Sequence, residues 1–469
     1  MKKFLALILA LIMALSLVAC GSEKAPAEPV ANDKGVVEGS NKSASGESDK
    51  DVYIDFWGVW ANDNYRAMFW QEKAAEFCEK YEAETGISVE IEYVGQGGSY
   101  AQLSEKLAAG AVTKTLPVIS QVEEQATARF YPLAVDLKQY LSADVVSNYL
   151  PGLMVSCTQQ GTMVAVPAGR SYIVTCVNKT LLEAAGHTVD ELADWTWAEY
   201  AQIARDMAAV GSDVYGCATY WDEDAWPWES ALYSNGGSID NDDGTEIVFT
   251  ADQGVKIIDL HLGLMNEGVE YSGYNEKGPD EIEDAFYPLW AEGRLGMYTG
   301  SITMYKSGLK FRDGYEGAAA DFDVVVAKQP AGDAGFSVVT GGSNMMIMNT
   351  ATETQKKVAA AYFEFLAEDE NCAGWNQTSG YMAFTKSVKD APAFKETTDA
   401  DPNLLNIYQF VEDAHARPTT PSWQEMYLNV LMPDLVKVSQ KPADFGPDAT
   451  KAMVEGWITA CQEILDNNL

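Results

Sequence analysis

"DVYIDFW", residues 51–57, sets Val52, Ile54 and Phe56 at every second position, the alternation of a half-buried strand. The period then changes. Ala67, Trp70, Ala74, Phe77, Cys78 and Tyr81 recur at helical spacing, which predicts a helix that stops near Gly86. "ISVEIEYV" (87–94) alternates again and predicts a second strand. In "SYAQLSEKLAAG" (99–110), Ser99 and Gln102 have the spacing of a capping box, and Gly110 is expected to close the helix. "LPVIS" (116–120) is expected as a short buried strand. Strand and helix taking turns in this way predict an α/β lobe with a largely parallel sheet.

Upstream, residues 21–50 are rich in Gly, Ser, Ala, Glu and Lys, hold no aromatic residue and show no apolar period. Such a stretch cannot bury enough surface to offset its ordering entropy, so 20–50 is expected to be a flexible tether. Before it, Lys2 and Lys3 precede an apolar run from Phe4 to Ala19, the pattern of a secretory signal peptide over 1–19. "LVAC" (17–20) resembles the lipobox of bacterial lipoproteins, which implies that Cys20 is acylated and becomes the new N-terminus. The expected location is therefore the outer face of a bacterial cell membrane, held by the lipid anchor alone.

Downstream, the remaining length suits two lobes of ordinary domain size. "YIVTCVNK" (172–179) begins a second stretch of α/β character, and "AAAYFEFLAEDE" and "ATKAMVEGWITACQEIL" read as later amphipathic helices. Trp195, Trp197, Trp221, Trp226 and Trp228 fall close together, and as a cluster they are expected to form a binding surface. The formal charge is −37; removing residues 1–19 takes away two lysines and no acid, leaving −39. A chain this acidic is repelled by nucleic acid and anionic lipid, so neither is an expected partner. Apart from Cys20, the cysteines lie at 78, 157, 176, 217, 372 and 461 with no CxxC, and most are expected to be buried small apolar residues. His187, His261 and His415 offer no metal spacing, and "DNDDG" (240–244) reads as an Asp-Gly turn before it reads as a calcium loop. No metal or cofactor is expected. No serine, cysteine or histidine constellation suggests a nucleophile.

The order of segments resembles the family 1 extracellular solute-binding proteins of ABC importers, from about residue 51 to the end. The resemblance rests on "GTMVAVPAGRSYIVTCVNKTLLEAAG" (161–186), "TWAEYAQIARDM" (196–207), "SNGGSIDNDDGTEIVF" (234–249), "AFYPLWAEGRLGMYTGS" (285–301), "TGGSNMMIM" (340–348) and "NQTSGYMAFTKS" (376–387). "LPVISQVEEQATA" (116–128) and "TSGYMAFTK" (378–386) are especially similar to the glycerol-3-phosphate-binding subgroup.

The resemblance implies a two-lobed, type II periplasmic-binding-protein fold with the ligand in a cleft between lobes joined by hinge strands. The crossings are expected near 168–174, 329–337 and 384–388. Lobe 1 would then comprise 51–168 and 337–384, and lobe 2 would comprise 174–329 and 388–469. Ligand-holding positions carry over onto Tyr100, Glu124, Ser171, Ser301, Gly342, Tyr381 and Arg417. Where the subgroup has small polar residues, this chain has Arg170, which can pair with phosphate or fork onto sugar hydroxyls. Trp226 joins the candidates from the tryptophan cluster. The expected role is a non-enzymatic, monomeric lipoprotein that hands a carbohydrate to ABC permease subunits. Glycerol-3-phosphate or another polyol phosphate is the alternative ligand. A secreted carbohydrate-active enzyme and a signalling or adhesion protein are the alternative classes.

Overall fold

The computed structural model describes residues 49–468 apart from 220–224, 242, 273–281, 318–319, 412–413, 416, 419 and 421. The signal, Cys20 and nearly all of the tether therefore lie outside the described residues, as does Trp221.

β1 (Val52–Gly58), α1 (Tyr65–Thr85) and β2 (Val89–Gly95) follow the expected order. The α1 stripe buries Ala67, Phe69, Trp70, Ala74 and Phe77, and Gly86 ends the helix in the left-handed region at φ 74°. α2 (Tyr100–Thr113) is capped by the Ser99 side chain, which accepts from the Gln102 N–H. It runs past Gly110, contrary to expectation, and ends on Lys114 at φ 62°. Gly110 is bare for another reason: a Cβ there would lie 3.4 Å from the Thr115 carbonyl oxygen and 3.5 Å from Leu116 as the chain turns back.

β3 spans Ile119–Glu123, three residues later than expected at both ends. Pro117 has no N–H, and the Val118 N–H donates to the buried Asp55 carboxylate at 2.8 Å, so neither residue enters the ladder. Burial raises the Asp55 carboxyl above its ordinary range. The shift of β3 proves important for the site.

The later strands are β4 (Val166–Asn178), β5 (Tyr215–Thr219), β6 (Glu270–Tyr271), β7 (Leu295–Ser301), β8 (Val324–Ala327), β9 (Val338–Ile347) and β10 (Ala414–His415). One sheet runs β2-β1-β3-β9-β4-β7-β5-β6, with β8 on β4 and β10 on β9. β1, β2 and β3 are parallel, as are β5, β6 and β7. The long strands β9 and β4 join the blocks: β9 runs antiparallel to β3, β4 antiparallel to β9, and β7 antiparallel to β4. β4 pairs with β9 up to Tyr172 and with β7 from Ile173 onward, so it passes from one block to the other within the segment 168–174. All thirteen residues of β4 are buried, in keeping with a strand covered on both faces.

α3 (Trp226–Ser234), α4 (Ile302–Asp313), α5 (Glu353–Leu366), α6 (Asp369–Ser379), α7 (Trp423–Met426) and α8 (Pro447–Asn468) position the site and the flanking cores. The largest core extends from β1 and α1 across β4 to Tyr298, Ile302 and Tyr305. A second core gathers Trp228, Trp423, Tyr427 and Trp457 around α8. A third holds Trp195 and Tyr200. The tryptophan cluster is thus divided. Trp195 and Trp228 are core residues at 1% and 0% exposure, which corrects the expectation of one tryptophan surface. The six described cysteines are free thiols, five of them buried. At "DNDDG", the Gly244 N–H donates to the Asn241 carbonyl, the geometry of a turn.

Candidate ligand-binding cleft

The site is organised by the alternation of side chains on β3, β9 and β4. Ser171 lies opposite Gly341, and Ser343 lies opposite Glu123. Gly169 shares this front face: a Cβ there would lie 3.1 Å from Ser343 Oγ, 3.4 Å from Trp60 and 3.4 Å from Tyr381. Gln121, two residues before Glu123, donates to Ser343 Oγ at 2.6 Å and accepts from the Val59 N–H at 3.1 Å.

An aromatic wall closes one side. Tyr381 stacks on Trp375 with centroids 5.8 Å apart and planes 7° apart, and lies 5.9 Å from Trp60. Its place is fixed by the main chain: the Met382 N–H donates to the Arg170 carbonyl, and Asn376 Nδ2 donates to the Tyr381 carbonyl. The Arg66 guanidinium sits 5.1 Å from the Tyr381 centroid while its Nε donates to the Ser379 carbonyl. Beside Ser343 and Tyr381 lies the buried Tyr100 hydroxyl. Burial holds that phenol well above its usual range.

Across the face, the Ser171 and Ser301 hydroxyls are 2.7 Å apart, and Ser301 also caps α4 by accepting from the Thr303 N–H. Trp226 opens α3 and covers Gly341, where a Cβ would meet its ring at 2.6 Å. Its Nε1 donates to the Val339 carbonyl. The Arg417 guanidinium lies 5.8 Å from Trp226 and 5.3 Å from Tyr427. Tyr427 reaches Glu123 Oε1 at 3.4 Å, which completes a ring of side chains.

The back face of the same strands is different. Arg170 is 0% and Glu124 2% exposed, and Arg170 Nη2 meets Glu124 Oε1 at 2.5 Å. The guanidinium also donates to Ser156, Thr340 and Asn344, and Thr340 in turn donates to Glu124. On the front side, beside Trp226 and Tyr427, Arg417 is 2% exposed and forks onto Glu229 at 2.6 and 2.7 Å, and Trp423 Nε1 donates to the same carboxylate. Gly342 joins the strands at φ 89°, where a Cβ would lie 1.9 Å from the Gly169 carbonyl oxygen, so a side chain is excluded.

All nine candidates therefore surround one crossing of β4 and β9. Tyr100, Trp226, Ser301, Gly342 and Tyr381 keep partial exposure, whereas Glu124, Arg170, Ser171 and Arg417 are buried. Both arginines spend their charge on internal carboxylates. The expected strand at 116–120 gave no facing to Gln121 or Glu123, and the sequence reading passed over both, as it did Trp60 and Gln424. Among the described residues no group of three or more His, Cys, Asp and Glu side chains could hold a metal ion.

The sequence profile of the bacterial extracellular solute-binding proteins matches residues 76–404, and the chain belongs to that family. It is a solute-binding protein of mixed α/β, two-lobed build. It is 26% identical over 316 residues to the sn-glycerol-3-phosphate-binding periplasmic protein UgpB of Escherichia coli K12, covering 62% of this chain and 67% of that one. Its fold is similar to the cyclic α-maltosyl-1,6-maltose binding protein of Arthrobacter globiformis, with a TM-score of 0.70 and 20% identity over 88% of this chain and 99% of that one. UgpB of Mycobacterium tuberculosis, solved with glycerophosphocholine, is as similar, with a TM-score of 0.70 and 18% identity over 88% and 98%.

Proposed function

We propose that this protein captures a neutral carbohydrate outside the cell and delivers it to the permease of an ABC importer. Family membership supports the capture role. The observation that carries the ligand class is the commitment of both candidate arginines: Arg170 is held by Glu124 and Arg417 by Glu229. A phosphate would have to compete with a buried carboxylate for either one, and breaking such a pair is costly. The front face offers what a sugar needs instead. Trp60, Tyr381 and Trp226 present flat rings to C–H surfaces, and Tyr100, Ser301 and Ser343 present hydroxyls.

One observation favours the glycerol-phosphate reading. Arg66 stands beside Tyr381, and no carboxylate pairs with it among the described residues. A thermal-shift panel of mono- and oligosaccharides, glycerol-3-phosphate and glycerophosphocholine separates the two readings. A ligand at ~100 times its Kd adds ~2.7 kcal/mol, a shift of several degrees. The expected result is a shift with a neutral sugar and none with the phosphates. A shift with the phosphates alone, lost in Arg66→Met, contradicts the carbohydrate reading.

We also infer that Cys20 carries the lipid anchor, on the strength of Leu-Val-Ala-Cys after the apolar run. No helix among the described residues is long and apolar enough to cross a membrane. Cys20→Ser cells are expected to release the protein from the membrane fraction or leave it unprocessed. Normal membrane retention of the variant contradicts the anchor.

A further inference from the structure

We propose that Glu123, not its neighbour Glu124, is the carboxylate that accepts hydrogen bonds from the ligand's hydroxyls. Glu123 is the last residue of β3 and Glu124 the first of the turn that follows, and their partners lie on opposite sides of the sheet. Glu124 turns to the back, against Arg170 and Thr340. Glu123 turns to the front, paired in register with Ser343 and on the same face as Gln121. The Tyr100 phenol feels its charge there. The residue is 8% exposed, at the floor of the ring rather than on its rim.

Three neutral side chains reach the carboxylate. Gln424 Nε2 meets Oε2 at 2.5 Å, Gln125 Nε2 meets Oε1 at 2.8 Å, and the Tyr427 hydroxyl approaches Oε1. Gln424 lies on α7, and Tyr427 begins a π-helical turn, Tyr427–Leu431. A π turn widens the helix by one residue and is common where side chains are aimed at a function. Here α7 and the π turn bring Gln424 and Tyr427 together onto Glu123. They pack in the second core, whereas β3 packs in the first, so the same carboxylate ties the two halves of the cleft together. A buried acceptor at this place favours hydroxyl donors and opposes a phosphate, a choice the aromatic wall alone cannot make.

The inference rests on the carbohydrate reading, and its test separates the two. Wild type, Glu123→Gln, Glu123→Asp and Glu124→Gln are titrated by calorimetry with maltose, maltotriose and glycerol-3-phosphate, and each unliganded protein is melted. Glu123→Gln is expected to bind the preferred sugar about 10- to 100-fold more weakly while its melting temperature stays near that of the wild type. Glu123→Asp should recover part of the loss. Glu124→Gln is expected to lower the melting temperature more than the affinity. Sugar binding by Glu123→Gln within about twofold of wild type overturns the assignment and leaves the carbohydrate reading standing. If glycerol-3-phosphate alone binds the wild type, the carbohydrate reading falls. Glu123 is then judged by the same ratio, since glycerol hydroxyls need an acceptor too. A wild type that takes none of the three probes overturns both.

Discussion

Arg170 and Glu124 show how one position along the chain separates a support from a site. Their side chains are 0% and 1% exposed, and both are hydrogen-bonded into the back of the sheet. Arg170→Met should therefore leave a buried carboxylate unpaired and cost about 3–5 kcal/mol. Urea midpoints read this directly. A variant within 1 kcal/mol of wild type would show that the pair is not structural. The sequence identified Glu124 and Arg170 but could not orient them. With a strand expected at 116–120, residues 123 and 124 fell in a loop, where side chains have no alternation. The strand starts late because Asp55 captures the Val118 N–H, a contact between residues 63 apart, and it runs on to Glu123 in register with Ser343. A shift of three residues decides which carboxylate takes the front face of the sheet.

α4 and α6 carry the next level of organisation. Ser301 caps the start of α4, and one turn on, Lys306 Nζ donates to the Asn376 and Gln377 carbonyls at the end of α6. Gly380 follows at φ 76°, with Thr303 and Lys306 beside it, and leads into Tyr381. Lys306 thus ties the helix that holds Ser301 to the helix that delivers Tyr381. Burial lowers its ammonium to about 8, against the pull of Asp401. The unfolded chain keeps the ordinary value of 10.5, so between about pH 8 and 10.5 it binds more protons than the fold does. Stability should therefore rise with pH across this window and fall as pH drops back through 8. Urea midpoints of wild type and Lys306→Met at pH 7 to 10.5 isolate the effect. Parallel profiles would refute it. A cap of this kind was legible: Ser99 was visible from local spacing, whereas the Thr196 capping box went unread. The facing of the tryptophans was not. Trp226 and Trp228 are two residues apart in α3, roughly 200° around the helix, so one covers Gly341 and the other enters the second core.

For the whole molecule, alternating strands and helices made the α/β class readable, and the order of motifs made the family readable. The largest core was not: it crosses β4 and joins residues from both expected lobes. Contacts of that range leave no periodic trace in a sequence. They matter because β4, β9 and the Glu123–Gln424 contact lie where the two sheet blocks meet. On the proposed reading, a ligand held there would touch both blocks at once and draw them together. The formal charge of −37 adds a long-range bias against anions, but salt screens it beyond about 8 Å. The local chemistry of the cleft therefore decides. Calorimetric titration of the wild type with neutral oligosaccharide and with glycerol-3-phosphate, each at low and high salt, tests this most directly. The account predicts one oligosaccharide per chain with an affinity that salt leaves unchanged, and no heat from glycerol-3-phosphate. Saturable one-to-one binding of glycerol-3-phosphate, weakened by salt and with no sugar bound, would contradict it.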